Sequence, residues 1–299
     1  MKHLIQRWII AVLRLAGRFA YRLSREQRTH LGHIVGDAMR MLSSERRRTA
    51  LENLAIAFPD APIAWRQATM RSSYHNLGVT LVELLTFPLI TPREAREMMD
   101  LQGIDRIESA LQQGSGVLLL SGHFGNWELL GFTLPLYVDI STTIIVAKQS
   151  NKIAETYLSW YRLRTGNRTA PVHNAARSII HAVQNGEAIA MLADQAAPPE
   201  HNVFVPFFGR AASTYQAPAR IALRYNVPMF VAFAERLENG CYRAVITPIP
   251  HEDLSCNAEG IRTLTERHTA ALETAIRQHP DLWVWQHKRW KYLPSESLQ

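Results

Sequence analysis

His123 and Glu128 are the two side chains in this 299-residue sequence whose types and spacing point most directly to chemistry. They stand in the run Ser121-Gly122-His123-Phe124-Gly125-Asn126-Trp127-Glu128, which follows an apolar stretch and leads into Leu129-Leu130-Gly131. Histidine suits the removal of a hydroxyl proton near neutral pH, because its ordinary pKa is about 6.5. A carboxylate on the other ring nitrogen fixes the tautomer and stabilises the imidazolium that forms. Such a pair activates an acceptor alcohol directly, without an enzyme nucleophile; Ser121 lacks the G-x-S-x-G setting of one. Five positions apart, the two side chains would lie about 140° apart on one helix. The pattern therefore predicts His123 in a turn before a helix and Glu128 inside it, with the carboxylate turned back to the imidazole. A satisfied structural histidine fits the same spacing, and the flanking glycines favour the functional reading only modestly.

Around this run, short apolar stretches at 117–121, 142–147, 188–193, 228–234 and 242–247 read as strands. Stretches at 126–137, 152–165, 175–185, 214–225 and 259–278 read as helices. Their alternation predicts an α/β fold with a sheet flanked by helices, in which chemistry sits where a strand end enters a loop and then a helix. The stretch from Trp65 to Phe87, punctuated by Pro88 and Pro92, predicts a helical layer before it. Ser213 or Thr214, ahead of Tyr215-Gln216-Ala217-Pro218, reads as a helix cap with proline in the first turn.

The formal net charge of +7 is concentrated at the front: residues 1–50 carry eleven Lys or Arg against three Asp or Glu, which leaves the remainder near neutral. That distribution argues against a nucleic-acid-binding body. Within residues 4–23, Arg7, Arg14, Arg18, Arg22 and Arg25 fall within roughly 80° of one another on a helix, opposite Ile5, Ile9, Val12, Leu13 and Ala16. A basic stripe on an apolar helix suits an anionic membrane surface, with Trp8, Phe19 and Tyr21 at the interface. A tilted span with snorkelling arginines and a surface helix packed on its own domain are the alternatives. The division is residues 1–25 as this basic amphipathic or membrane-anchoring helix and 26–299 as one domain.

Asp194 follows an apolar strand and suits positioning an acceptor or orienting a cation; a turn-forming aspartate is the plain alternative. Arg210 follows Val205-Pro206-Phe207-Phe208-Gly209, a run suited to the wall of an apolar groove, and its guanidinium fits a phosphate or another oxyanion; a plain solvated arginine is the alternative. Trp283, Trp285 and Trp290 with Lys288, Arg289 and Lys291 suit lipid headgroups or an acidic carrier protein. The two cysteines, Cys241 and Cys256, stand in no metal-ligand spacing, and no Gly-rich phosphate loop or dinucleotide fingerprint occurs. Neither a metal nor a nucleotide cofactor is implied.

Gly122-His123-Phe124-Gly125-Asn126-Trp127-Glu128-Leu129-Leu130-Gly131 resembles the His-x4-Glu/Asp signature of the lysophospholipid acyltransferase superfamily, in its lipid A late acyltransferase branch. Lys148-Gln149-Ser150-Asn151, Ala193-Asp194-Gln195, the Val205–Arg210 block and Trp285-Gln286-His287-Lys288-Arg289-Trp290-Lys291 resemble further motifs of that branch in its order, over roughly residues 40–292. The resemblance implies a glycerolipid acyltransferase-like fold with a central mixed sheet. It also implies an acyl carrier protein or coenzyme A thioester as co-substrate, and a lipid A precursor or other glycolipid as acceptor at the cytoplasmic face of the inner membrane. By position, His123 would be the general base and Glu128 its partner, with Lys148, Asn151, Asp194 and Arg210 as substrate contacts. The branch often has arginine where this chain has Lys148, which keeps the charge without the bidentate fork. The same chemistry on another glycolipid or an aminolipid fits these residues equally. A catalytically silent membrane- or lipid-binding protein of the same fold is the reading from a different class, and the presence of both His123 and Glu128 counts against it.

Overall fold

The computed structural model describes residues 2–114, 116–138, 142–146, 157, 161–171 and 175–294. The first third is helical: α1 (Lys2–Arg22), α2 (Arg25–Leu42), α3 (Ser44–Ala57), α4 (Ile63–Leu84), α5 (Pro92–Met98) and α6 (Ile104–Gln112). A capping box at Ser24 and Gln27 starts α2, where both side chains satisfy orphan amides. Small residues then bring α2 onto α4. A Cβ on Gly32 would stand 2.4 Å from Val79 Cα, and one on Gly78 would stand 2.1 Å from the Gly32 carbonyl oxygen. This backbone-to-backbone contact makes α4 a firm strut behind the site.

After β1 (Met99–Gln102), the chain enters β2 (Val117–Ser121), α7 (Trp127–Tyr137), β3 (Thr142–Val146), β4 (Arg168–Pro171), α8 (Ala175–Gln184) and β5 (Ala188–Leu192). A hairpin of β6 (Asn202–Phe207) and β7 (Arg210–Tyr215) leads to α9 (Ala217–Tyr225). Then come β8 (Met229–Val231), β9 (Glu235–Arg236), β10 (Tyr242–Val245), β11 (Thr247–Pro248) and α10 (Ala258–Gln278). The principal sheet has the order β11-β8-β2-β5-β3-β4, parallel except for the antiparallel edge strand β11. It is therefore a mixed sheet with helices, in line with the sequence expectation.

Because strand side chains alternate, β2 feeds two cores. Val117 and Leu119 join Leu129, Leu130, Phe132 and Leu134 of α7. Leu118 and Leu120 join Ile179 of α8, Ala219 and Ala222 of α9 and Leu264 of α10. These four apolar residues of β2 are buried, and burying each such side chain stabilises the fold by about 1.5–3 kcal/mol.

Several local expectations are corrected. The 242–247 run does not join the principal sheet: β10 pairs with β1 and β9 in a separate three-stranded sheet, and only β11 returns to the edge. The helix expected at 214–225 starts at Ala217, capped by Gln216 without a side-chain bond, because Ser213 and Thr214 are held in β7. The helix expected at 152–165 falls largely outside the described residues, and Leu163–Thr165 make a single tight turn.

Helix α1 forms over the predicted span, but its apolar side is divided. Gly17 and Ala20 face the protein, with Gly17 so close to the Leu85 carbonyl that a Cβ would lie 2.3 Å from its oxygen. Trp8, Ile9, Val12, Leu15 and Phe19 are left exposed beside Arg7, Arg14, Arg18 and Arg22. Among the described residues, no helix is long and apolar enough to cross a membrane.

Candidate active site

His123 and Asp194 meet because of strand register. β2 and β5 are adjacent and parallel, with Ser121 opposite Leu192, so the residues two positions beyond each strand end emerge side by side. His123 Nδ1 lies 2.8 Å from Asp194 Oδ1. The other carboxylate oxygen accepts the His123 amide and the Trp283 indole N–H, each at 2.9 Å. A carboxylate only accepts, so Nδ1 carries the proton and the lone pair of Nε2 is left for the cavity in front of it. Gln195 reaches that nitrogen at 3.5 Å, and the Trp127 ring sits edge-on to the imidazole with centroids 5.0 Å apart.

The turn that presents His123 is pinned on several sides. Gly125 has φ +55°, and a Cβ there would fall 1.6 Å from the Ala234 carbonyl oxygen, so both its conformation and its surroundings demand glycine. Its N–H donates to the Leu282 carbonyl, and its carbonyl accepts from Asn76 and Thr80 of α4. The Val284 amide donates to the His123 carbonyl. Asn126 caps α7 by accepting the Leu129 amide, while its own amide donates to buried Glu83 at 2.7 Å. Glu83 also accepts the Tyr242 hydroxyl at 2.6 Å, so α4 and β10 together fix the start of α7.

Glu128 does lie in the first turn of α7, but its carboxylate does not hold the imidazole. It pairs with Arg162, whose Nη2 and Nε reach its two oxygens at 2.6 and 3.2 Å, and it accepts the buried Tyr161 hydroxyl. The expected contact is taken instead by Asp194, a residue whose sequence setting suggests substrate binding. Asp194 is 3% exposed and both its oxygens are occupied, which leaves it no face for a ligand.

The electrostatics follow from this pairing. Burial opposes charge on His123, but the Asp194 carboxylate, their hydrogen bond and, last, Glu128 outweigh it and raise the imidazole above its ordinary 6.5. Burial would raise Asp194, but the imidazole, the His123 amide and the Trp283 indole bring it down to about 2. Arg162 is likewise opposed by burial and raised by Glu128, which keeps it a cation.

His123, Trp127, Glu128 and Arg162 line one wall of a cavity of about 940 Å³, near the upper end of the range for small-molecule sites. It continues along the α7 face of the sheet past Leu119, Leu130, Gly131, Leu134 and Ile144, and on the other face past Ile145, Met191, Ile179 and Ile221. Pro135 cannot donate to the Gly131 carbonyl within α7, and Asn167 takes over that bond at 2.9 Å.

Two further expectations are corrected. Arg210 is exposed at the tip of the β6–β7 hairpin and is not among the cavity-lining residues. The apolar block before it packs inward instead of forming a groove wall: Phe207 is fully buried against Trp283 and Trp290. The C-terminal tryptophans are core residues, and Arg289 is buried with its guanidinium donating to the Ser213 carbonyl and Thr214 Oγ1, so these side chains are not presented to lipid headgroups, whereas Lys288 and Lys291 are exposed. His287 accepts the Ala196 amide at 3.2 Å and steadies the turn that carries Asp194. Lys148 and Asn151 lie outside the described residues. Sequence reasoning missed Arg162, one of two arginines in an unremarkable Tyr161-Arg162-Leu163-Arg164 run, and no local signal set it apart.

A family model for the bacterial lipid A biosynthesis acyltransferases matches residues 2–292. The chain belongs to this family. It is an acyltransferase, in agreement with the resemblance carried by its ordered motifs. It is 27% identical over 271 residues to the lipid A biosynthesis palmitoleoyltransferase of Escherichia coli (strain K12), covering 88% of this chain and 85% of that protein. It is 24% identical over 257 residues to the myristoyltransferase of the same organism, covering 82% and 75%. It is 22% identical over 252 residues to the phosphatidylinositol mannoside acyltransferase of Mycobacterium tuberculosis (strain ATCC 25618 / H37Rv), covering 82% and 78%.

Proposed function

We propose that this acyltransferase moves a fatty acyl chain from an acyl carrier protein or coenzyme A thioester to a hydroxyl of a lipid A precursor, with His123 as general base. The observation that carries the reading is the placement of His123, held by Asp194 at Nδ1 and lining a largely apolar cavity of about 940 Å³, which leaves Nε2 as the ring nitrogen for the acceptor hydroxyl. Nε2 takes the proton as the acceptor oxygen attacks the thioester carbonyl carbon. The tetrahedral intermediate then expels the thiolate, which takes the proton from the imidazolium. Asp194 holds the imidazole throughout. Glu128 holds Arg162 against the cavity, where the guanidinium steadies the oxyanion or a substrate phosphate. Thioester carbonyls need no metal for this step, and Lys148 and Asn151 remain proposed substrate contacts.

Helix α1 supports a peripheral position on the cytoplasmic face of the inner membrane. Its exposed Trp8, Val12, Leu15 and Phe19 adjoin an arginine stripe, an arrangement suited to an anionic headgroup layer. A second acceptor, a phosphatidylinositol mannoside-type glycolipid, is supported by the similarity to the mycobacterial acyltransferase.

The test is acyl transfer by purified protein to a labelled Kdo-bearing lipid A precursor, from a panel of acyl carrier protein and coenzyme A thioesters. The expected outcome is transfer by wild type and none by folded His123→Ala. Undiminished transfer by that variant would remove His123 from the mechanism, and absence of transfer by wild type with every donor would shift the reading to another lipid acceptor.

A further inference from the structure

Among the described residues the cavity bears three arginines, and they are not equivalent. Arg162 is neutralised by Glu128. Arg220 and Arg224 of α9 also line the cavity, on the face opposite α7, and neither forms an ion pair with any described carboxylate. One Arg220 nitrogen, Nη2, donates to Gln216 Oε1 at 2.9 Å, which braces the side chain along its own helix and leaves its remaining N–H groups for a ligand. Arg224 has its guanidinium carbon 6.0 Å from the Tyr225 ring centroid. Glu200, on the same wall, is the one acidic side chain besides Glu128 among the described cavity-lining residues, and it bonds neither arginine.

We propose that Arg220 and Arg224 form a phosphate-binding rim on this cavity and grip the phosphate of an amphiphile whose apolar part lies against Ile179, Ile221 and Met191. Residues four apart on a helix present their side chains side by side, about 5–6 Å apart at Cβ. Two planar guanidinium forks at that spacing match the oxygens of one phosphate better than a single carboxylate. A cation pair with no ion-pair partner among the described residues, beside apolar walls, is the complement of an anionic head on an apolar tail, and the Tyr215 and Gln216 side chains on the same wall add polar contacts. The proposal rests on the acyl-transfer reading only for what the amphiphile is. Both substrate classes of that reading bring phosphate, the acceptor in its headgroup and the donor in its phosphopantetheine arm.

The test is equilibrium binding without turnover, using full-length protein in neutral detergent micelles. Two probe pairs distinguish the sources. The first is a phosphorylated glucosamine disaccharide lipid against its phosphatase-treated counterpart; the second is an acyl coenzyme A against the matching acyl N-acetylcysteamine thioester, which has no phosphate. The double variant Arg220→Gln/Arg224→Gln is expected to bind the phosphorylated member of one pair about 10- to 100-fold more weakly, the range for loss of one or two charge-assisted hydrogen bonds. Its phosphate-free partner should bind unchanged, and Arg220→Lys/Arg224→Lys should fall between. The pair affected identifies the source. The rim is overturned if wild type shows no preference for the phosphorylated probe of either pair, or if the double variant keeps that preference. Wild-type protein that binds in this way yet transfers no acyl group to the lipid A precursor would refute that acceptor and leave the rim standing.

Discussion

Replacing Asp194 by asparagine keeps the shape of the side chain and changes which ring nitrogen of His123 bears the proton. In the native site Oδ1 faces Nδ1–H, while Oδ2 accepts two N–H groups, from the His123 backbone and from Trp283. An asparagine that puts its NH2 at the Oδ2 position opposes two donors with a donor. With the NH2 at the Oδ1 position both of those bonds survive, and the amide donates to Nδ1. The second arrangement costs less, and it forces the proton onto Nε2, where the base is needed. General base catalysis is worth on the order of 10²–10⁴-fold, so Asp194→Asn is expected to lower kcat/KM by that factor. The residual activity should have its acid limb at lower pH, because the charge and the hydrogen bond that raise His123 are gone while burial remains. Glu128→Gln should move the limb less, since Glu128 is the last of the groups raising His123. The assay is thiol release from an acyl thioester across about pH 5 to 9, which brackets the histidine range. A limb that moves with Glu128→Gln and stays put with Asp194→Asn would refute the assignment of Asp194 as the imidazole's partner.

Stability gives the same pair a second signature. His123 titrates higher folded than unfolded, so its contribution is complete below the unfolded value of 6.5 and is lost as pH rises through the raised folded value; urea unfolding should show that decline in wild type and not in His123→Gln. Gly125→Ala is expected to destabilise the protein by at least about 2–3 kcal/mol, since positive φ alone strains alanine and its Cβ has no room against Ala234; an unchanged urea midpoint would contradict the pinned turn. Gly131→Leu fills the cavity beside Ile144, whose Cδ1 lies 3.6 Å from where the new Cβ would stand, so competition among thioesters should shift product toward shorter acyl chains, and an unaltered distribution would exclude the α7 side as the acyl path. Trp8→Ser with Phe19→Ser should release the protein from anionic vesicles in flotation, because both exposed rings lie on the apolar stripe of α1; full retention would assign membrane contact to another surface.

Much of this protein was legible in its sequence because the signals are local. The apolar runs at 117–121, 142–147 and 188–193 became β2, β3 and β5, since period and length suffice to recognise a buried strand. His123 fell in the turn and Glu128 in the first turn of α7 because the glycines and the five-residue spacing mark that boundary in the chain itself, and the structure adds an Asn126 cap there. The basic helix at the front was equally plain from its spacing. The choice of partner for His123 was not, because the nearer carboxylate in sequence, five residues away, is drawn to Arg162, and the one that pairs with the imidazole is 71 residues away, just past the end of the neighbouring strand β5. Strand order and register decide such a contact, and neither is written in local periodicity. The same holds for Trp283, Trp285 and Arg289: their composition matches a lipid interface as well as a core, and only packing against Phe207, β7 and the Asp194 turn made them the core that holds the carboxylate partner of His123 in place.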